Sequence, residues 1–354
     1  MSLPITICDD SKFAQRMLAS SLPSEWDVDI SYADNGEQAI ENIKQGQADV
    51  LFLDLNMPVM DGYQVMQQIR DNDLPTMVIV ISGDVQPEAR KRILALGALD
   101  FIAKPIKSGI LNEILEKFGV FCASDEVLEH AEQKTPQTRV TGVEAFTSQA
   151  DKFDALQELA NVAMGRAGES FGKILNQFIE LPVPKVNLLH ANELQMALVE
   201  STKNAKVSAV SKGFVAQGLS GEAIILFNDA NADSLSELLG YSEHDMHRNV
   251  EALMDLSNII IGACLNALSD ALQLAFSHNT PIILGMHCDV KNLVESQSVK
   301  WKQVLMIEIE YSIANHSMDF ELLFLIPEHH ADAIFERMIS SKLHNNDLSG
   351  AAHG

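Results

Sequence analysis

The chain is poor in basic residues, with 25 Lys and Arg against 49 Asp and Glu in 354 residues and a formal net charge of −24. The deficit is not confined to one tail. The first 120 residues carry 10 basic and 18 acidic side chains, a balance of −8, which leaves −16 for the remainder. Both halves repel phosphate backbones and neither contains a basic recognition helix, so nucleic acid is excluded as a partner. Cysteine is scarce as well. Cys8, Cys122, Cys264 and Cys288 are scattered with no CxxC spacing, which argues against a structural zinc site and reads as the reduced thiols of a cytoplasmic protein. The N-terminus lacks a basic segment followed by an apolar run, so no signal peptide is expected. No uninterrupted apolar stretch approaches the roughly 18–20 residues that span a bilayer, and "LSNIIIGACLNAL" is short and broken by Asn.

What is present is organised. The length suits two or three domains, and 47% hydrophobic content is ordinary for globular cores. Strand and helix patterns alternate through residues 1–118, as in a doubly wound (βα)5 fold. In "DVLFLDLNMPVMDGYQV" the apolar run Val50 to Leu53 reads as a buried parallel strand that ends on Asp54. Upstream, "ITICDD" ends on Asp9 and Asp10; downstream, "TMVIVISGD" ends on Ser82 and "LDFIAKP" on Lys104. Open α/β sheets bind ligands at the carboxyl ends of their strands. Three acids, a hydroxyl and an ammonium at one edge suit a hard cation held by oxygens beside an anion.

These residues resemble the receiver domain of two-component response regulators, over residues 1–120. The resemblance implies that Asp54 accepts a phosphoryl group from a histidine kinase. It implies Mg²⁺ held by Asp10, Asp54 and the backbone carbonyl of Asn56, with Asp9 assisting through water. Ser82 and Lys104 would hold the phosphoryl oxygens, Lys104-Pro105 would carry a cis bond, and Phe101 stands where the family keeps a switch aromatic. Asn56 and Asp84, two residues beyond Asp54 and Ser82, would tune the decay of the acyl phosphate. Such chemistry is mostly positioning and charge neutralisation.

After Gly119 the sequence turns polar, and residues 121–147 read as a linker. A second region is expected over residues 148–343, followed by a frayed tail at 344–354. It contains a diverged internal repeat. A long helix, "FDALQELANVAMGRAGESFGKIL", precedes a strand-like segment, the β runs "KVSAVSKGFVA" and "GEAIILF", and a helix near 231–239. The order recurs from "VEALMDLSNIIIGACLNALSDAL" through "IILGMHC", "QVLMIEIEYSI" and "DFELLFLI" to a helix near 328–339. Two copies predict one pseudo-symmetric α/β domain whose strands share a sheet, since so long a period is far from that of a solenoid.

Asp154, Glu158 and Asn161 follow at i, i+4 and i+7 on the first long helix, so they project from one face. Glu251, Asp255 and Asn258 repeat that spacing on the second. One such face is most simply solvated, but Asn is a poor helix former and here stands inside both helices. The region resembles the CheC/CheX/FliY family of chemotaxis phosphatases through its acid-x-x-Asn pattern, with Asp255 where the family usually has Glu. The resemblance implies catalysis by Asn161 and Asn258, whose amides orient a water for attack on aspartyl phosphate, and docking by Glu158 and Asp255 on a receiver lysine. The fusion is then a response regulator whose output hydrolyses aspartyl phosphate on a CheY-like receiver, a separate one or its own. The rival reading is a binding module for the flagellar switch or a CheD-like partner, with little hydrolysis. Oligomeric state stays open, a homodimer being one option.

Overall fold

The computed structural model describes residues 2–106, 109–121, 148–190, 193–194, 196, 206–228, 246–288, 302–313 and 318–338. It divides into two compact units, Met1–Glu158 and Leu159–Ser341. Phe121, expected to begin the linker, instead packs against the core of the first unit, and residues 122–147, the tail and the helix expected near 231–239 lie outside the described residues.

The first unit has strands β1 (Leu3–Cys8), β2 (Val28–Ala33), β3 (Val50–Leu53), β4 (Met77–Ser82) and β5 (Asp100–Ala103). Between and after them run helices α1 (Lys12–Ser21), α2 (Gly36–Lys44), α3 (Gly62–Asp71), α4 (Pro87–Ala95) and α5 (Ile110–Lys117). All strand pairs are parallel, in the order β2-β1-β3-β4-β5. A parallel sheet is covered on both faces, which is why β3 is four consecutive buried apolar residues. One core layer collects Leu51, Leu53, Val78 and Val80 with the α2 and α3 residues Ile40 and Val65. The other collects Ile5, Ile7, Phe52, Ile79 and Ile81 with Leu18 of α1 and Leu111 of α5.

Strand order reverses between β1 and β3, so a crevice opens at their carboxyl ends. Local chemistry sets the loops that line it. Ser11 caps α1 by accepting from Ala14 N at 3.0 Å, and its own N–H donates to Asp9 Oδ1 at 2.9 Å. Asp61 and Gln64 close a capping box that starts α3. Gly62 follows, and a Cβ there would lie 2.4 Å from the Asp54 carbonyl oxygen and 2.8 Å from Leu55 Cα. The missing side chain lets α3 begin against the backbone that carries Asp54.

Helix α6 (Gln149–Leu175) begins in the first unit and continues into the second. The second unit continues with β6 (Ile179–Glu180), β7 (Lys185–His190), β8 (Val207–Ala216) and β9 (Leu219–Asn228). Then come α7 (Met246–Leu272), β10 (Ser277–His278), β11 (Ile282–Cys288), β12 (Gln303–Ile313) and β13 (Met318–Pro327). A 3-10 turn, Glu328–His330, leads into α8 at 331–338. The duplication expected from sequence is present as a single eight-stranded sheet. Hairpins β8–β9 and β12–β13 meet along the antiparallel pair β9–β13.

The two copies exchange edge strands. β6 and β7, which follow α6, pair with β12 of the second copy, whereas β10 and β11, which follow α7, pair with β8 of the first. Each copy therefore needs the other to complete its sheet. On the helix side, Phe171 of α6 stands edge-on to Phe320, with ring centroids 5.6 Å apart, and Tyr311 stacks on Phe320 at 5.2 Å. Tyr311 Oη lies 3.5 Å from the Met164 carbonyl of α6 and from Cys264 Sγ of α7, so one side chain ties both helices to the sheet. Val250–Leu272, although interrupted by Glu251, Asp255 and Asn258, is long and apolar enough on average to cross a membrane, but 56% of its most apolar stretch is buried within the protein. That is the profile of a core helix, made apolar by its packing on β8.

Gly62→Ala is expected to destabilise the first unit by about 1–3 kcal/mol, because backbone rather than a flexible side chain must give way. A lowered urea midpoint of the full chain checks this, and an unchanged midpoint refutes it.

Candidate functional site

The acids at the carboxyl ends of β1 and β3 meet as expected. One carboxylate oxygen from each of Asp9, Asp10 and Asp54 lies within 4.8 Å of the others. Asp54 is 1% exposed, and its Oδ2 accepts from Asn56 N at 3.1 Å. Lys104, 5% exposed, enters from the end of β5. Its Nζ donates to Asp9 Oδ2 at 2.7 Å and lies 3.2 Å from Asp54 Oδ1. The second contact is an ion pair without hydrogen-bond alignment, since Asp54 Oδ1 has no hydrogen-bond partner.

The third neighbour of Lys104 comes from α6. Glu158 Oε2 lies 3.3 Å from Lys104 Nζ, and both side chains are buried within the first unit. The preceding turns of α6 also engage that unit. Asp154 Oδ2 accepts from Phe13 N at 2.5 Å, and Asp151 pairs with Arg16 at 3.2 Å.

Charge is crowded here. Burial pushes the Asp54 carboxyl well above its ordinary value; Lys104 opposes the rise, and Asp9, Glu158 and Asp10 add to it. Burial and the Asp9 carboxylate likewise push Asp10 up to about 7. Burial works against the Lys104 ammonium, yet Asp54, Asp9 and Glu158 together hold its pKa well above the usual lysine value. Several carboxylates share one lysine, so a further positive charge among Asp9, Asp10 and Asp54 would relieve the crowding. The donor set is all oxygen, which fits a hard divalent cation.

The neighbouring strand ends supply the rest. Ser82 is buried at the end of β4, and its Oγ accepts from Asp84 N at 3.1 Å. Lys104 N donates to the Ser82 carbonyl at 2.8 Å, which joins the ends of β4 and β5. Asp84 is buried and accepts from both Gln86 N and Gln86 Nε2 at 3.1 Å. Phe101 is half-buried against the α2/α3 core layer, and the Lys104-Pro105 bond is cis.

A family model described as response regulator receiver domain matches residues 5–116. Residues 5–116 form a receiver domain. Over 112 residues the chain is 41% identical to a protein-glutamate methylesterase/protein-glutamine glutaminase of Geobacter sulfurreducens, covering 31% of this chain and 30% of that protein. The chain thus spans less than a third of that relative's length. Among solved structures, FliY of Thermotoga maritima is similar at 16% identity and a TM-score of 0.44, over 55% of this chain and 98% of that one. CheX of Desulfovibrio desulfuricans is similar at 17% identity and a TM-score of 0.34, over 48% and 99%.

Beyond the receiver domain, the acid-x-x-Asn pairs lie on α6 and α7 as their spacing predicts. Glu158 and Asn161 are buried, whereas Asp255 and Asn258 are exposed. Sequence reasoning missed one group at the second pair. Lys212, in the middle of β8 and 2% exposed, donates from Nζ to Asn258 Oδ1 at 2.8 Å. A lone lysine inside the apolar run "VSAVSKGFVA" was the signal that could have found it.

Lys104→Met leaves Asp9 and Asp54 buried without their cation, and is expected to cost about 3–5 kcal/mol of stability in urea unfolding. Added magnesium is expected to recover part of that loss by binding the folded state. A variant as stable as the parent in chelator contradicts this account.

Proposed function

We propose that the chain is a cytoplasmic response regulator that takes a phosphoryl group from a histidine kinase onto Asp54. Its second region, residues 148–343, acts as a CheC-type phosphatase that hydrolyses aspartyl phosphate on CheY-like receivers. One observation carries the reading. Glu158, the acid of the first acid-x-x-Asn pair, lies 3.3 Å from Lys104, the lysine at the receiver's acidic crevice. That is the contact expected of a docking acid on a receiver, made here with the receiver of the same chain.

The residues support the chemistry. Asp9, Asp10 and Asp54, with the Asn56 carbonyl, would hold Mg²⁺, whose contribution when bound is charge neutralisation. Lys104 and Ser82 neutralise and orient the phosphoryl oxygens. Asn161, one turn beyond Glu158, accepts a hydrogen bond from water and turns its lone pair toward phosphorus. The water oxygen bonds to phosphorus, the bond to the aspartyl oxygen breaks, and the carboxylate leaves as the anion. The proton lost by the water passes to solvent or to the released phosphate. No strong base is needed, because an acyl phosphate has a good leaving group.

The test is the decay of a radiolabelled, phosphorylated CheY-type receiver with and without the full chain. Asn161→Ala is expected to reduce the acceleration by about 10²-fold, the usual scale for loss of a positioned reactant. Decay unaltered by the parent chain would sink the reading. Separately, acetyl phosphate is expected to add one phosphoryl mass to the chain and none to Asp54→Asn. Equal labelling of both proteins would place the acceptor elsewhere.

A further inference from the structure

The two acid-x-x-Asn pairs are not equivalent. Asn258 lies 97 residues after Asn161, and Asp255 the same interval after Glu158. The same interval carries Lys212 of β8 to Ile309 of β12. Both occupy matching places in the duplicated hairpins. Lys212 precedes Phe214 by two residues and Ile309 precedes Tyr311 by two, so each shares a strand face with a buried aromatic. Ile309 is 1% exposed, as an aliphatic residue in a core strand should be. Lys212 is almost as buried but carries an ammonium.

That lysine has no counter-charge among the described residues. Burial lowers its pKa from the usual lysine value, with no carboxylate acting against the shift. Its hydrogen bond runs to the side-chain oxygen of Asn258, which is exposed on α7. A buried cation without an anion is costly, and an aliphatic residue fills the corresponding place in the other copy. The lysine therefore adds something at the second pair that the first does not have.

Its effect follows from the two ends of an amide. To aim a water at phosphorus, an Asn must accept a hydrogen bond from that water with Oδ1. At Asn258 that oxygen already accepts from Lys212 Nζ, which occupies one of its two lone pairs and biases the amide toward offering its Nδ2 donors to a ligand. Donors above a buried positive charge suit the oxygens of a phosphoryl group. Asp255, one turn earlier and also exposed, adds a carboxylate for a lysine. A phosphorylated receiver presents both a phosphoryl group and a lysine, whereas free phosphate would meet Asp255 as a like charge.

We infer that Lys212, Asn258 and Asp255 form a holding site for the phosphorylated crevice of a receiver, which binds the phosphoryl oxygens without hydrolysing the acyl phosphate. Lys212 is a positioning residue for Asn258. The inference rests on the reading of acid-x-x-Asn helices as receiver-docking elements.

The test uses the full chain carrying Asn161→Ala and a CheY-type receiver activated with beryllofluoride. The Asn161→Ala chain is expected to bind the activated receiver and to leave the decay of the phosphorylated one at its spontaneous rate. Adding Lys212→Met, which fits where the other copy has Ile309, should weaken binding about tenfold, and Lys212→Arg should restore most of it. Equal affinity of the Lys212→Met and parent proteins overturns the inference, and so does rapid decay that survives Asn161→Ala. If the parent chain never accelerates decay, the phosphatase reading fails alone, and the binding arm still decides the role of Lys212.

Discussion

One buried ammonium organises the first unit. Lys104 sits among Asp9, Asp54 and Glu158, with every contact at 3.3 Å or less. In a low-dielectric pocket such charges interact strongly, and an uncompensated one is expensive. Burial, and then the neighbouring carboxylates, push Asp54 and Asp10 up against the opposing pull of Lys104. A further positive charge there would relieve the crowding, and the all-oxygen donor set of Asp9, Asp10 and Asp54 suits a hard cation. The same lysine can attract an acid from outside the sheet, and Glu158 of α6 takes that place.

The second unit meets a different constraint. Two similar halves must share one core, and they do so by exchanging edge strands across the β9–β13 seam. Tyr311 reaches both long helices from the sheet. Such interlocking makes independent folding of either half unfavourable but leaves the exposed helix faces free to differ. The difference appears at Lys212 and Ile309, where one position carries charge and its counterpart does not. The duplicated positions thus share a fold and differ in one buried side chain.

Much of this was legible in the residues. The four strand ends that bear Asp9, Asp10, Asp54, Ser82 and Lys104 could be read because parallel strands are short apolar runs with abrupt polar ends. The repeat was legible because element order survives when identity does not. The length and apolar content of α7 were harder to judge: Asn258 and Asn266 interrupt the run, yet the helix is long and apolar enough on average to cross a membrane. Its buried face against the sheet accounts for that composition.

By itself the sequence determined which groups stand at strand ends and on helix faces, since those depend on periodicities of two and 3.6 residues. It could not say which side chains from distant segments would touch. Glu158 and Lys104 are 54 residues apart, and Lys212 and Asn258 are 46. Only tertiary packing brings each pair within hydrogen-bonding distance. Burial then turns those contacts into chemistry, because a lysine in solvent is a common charge and a lysine without water must be answered by a partner.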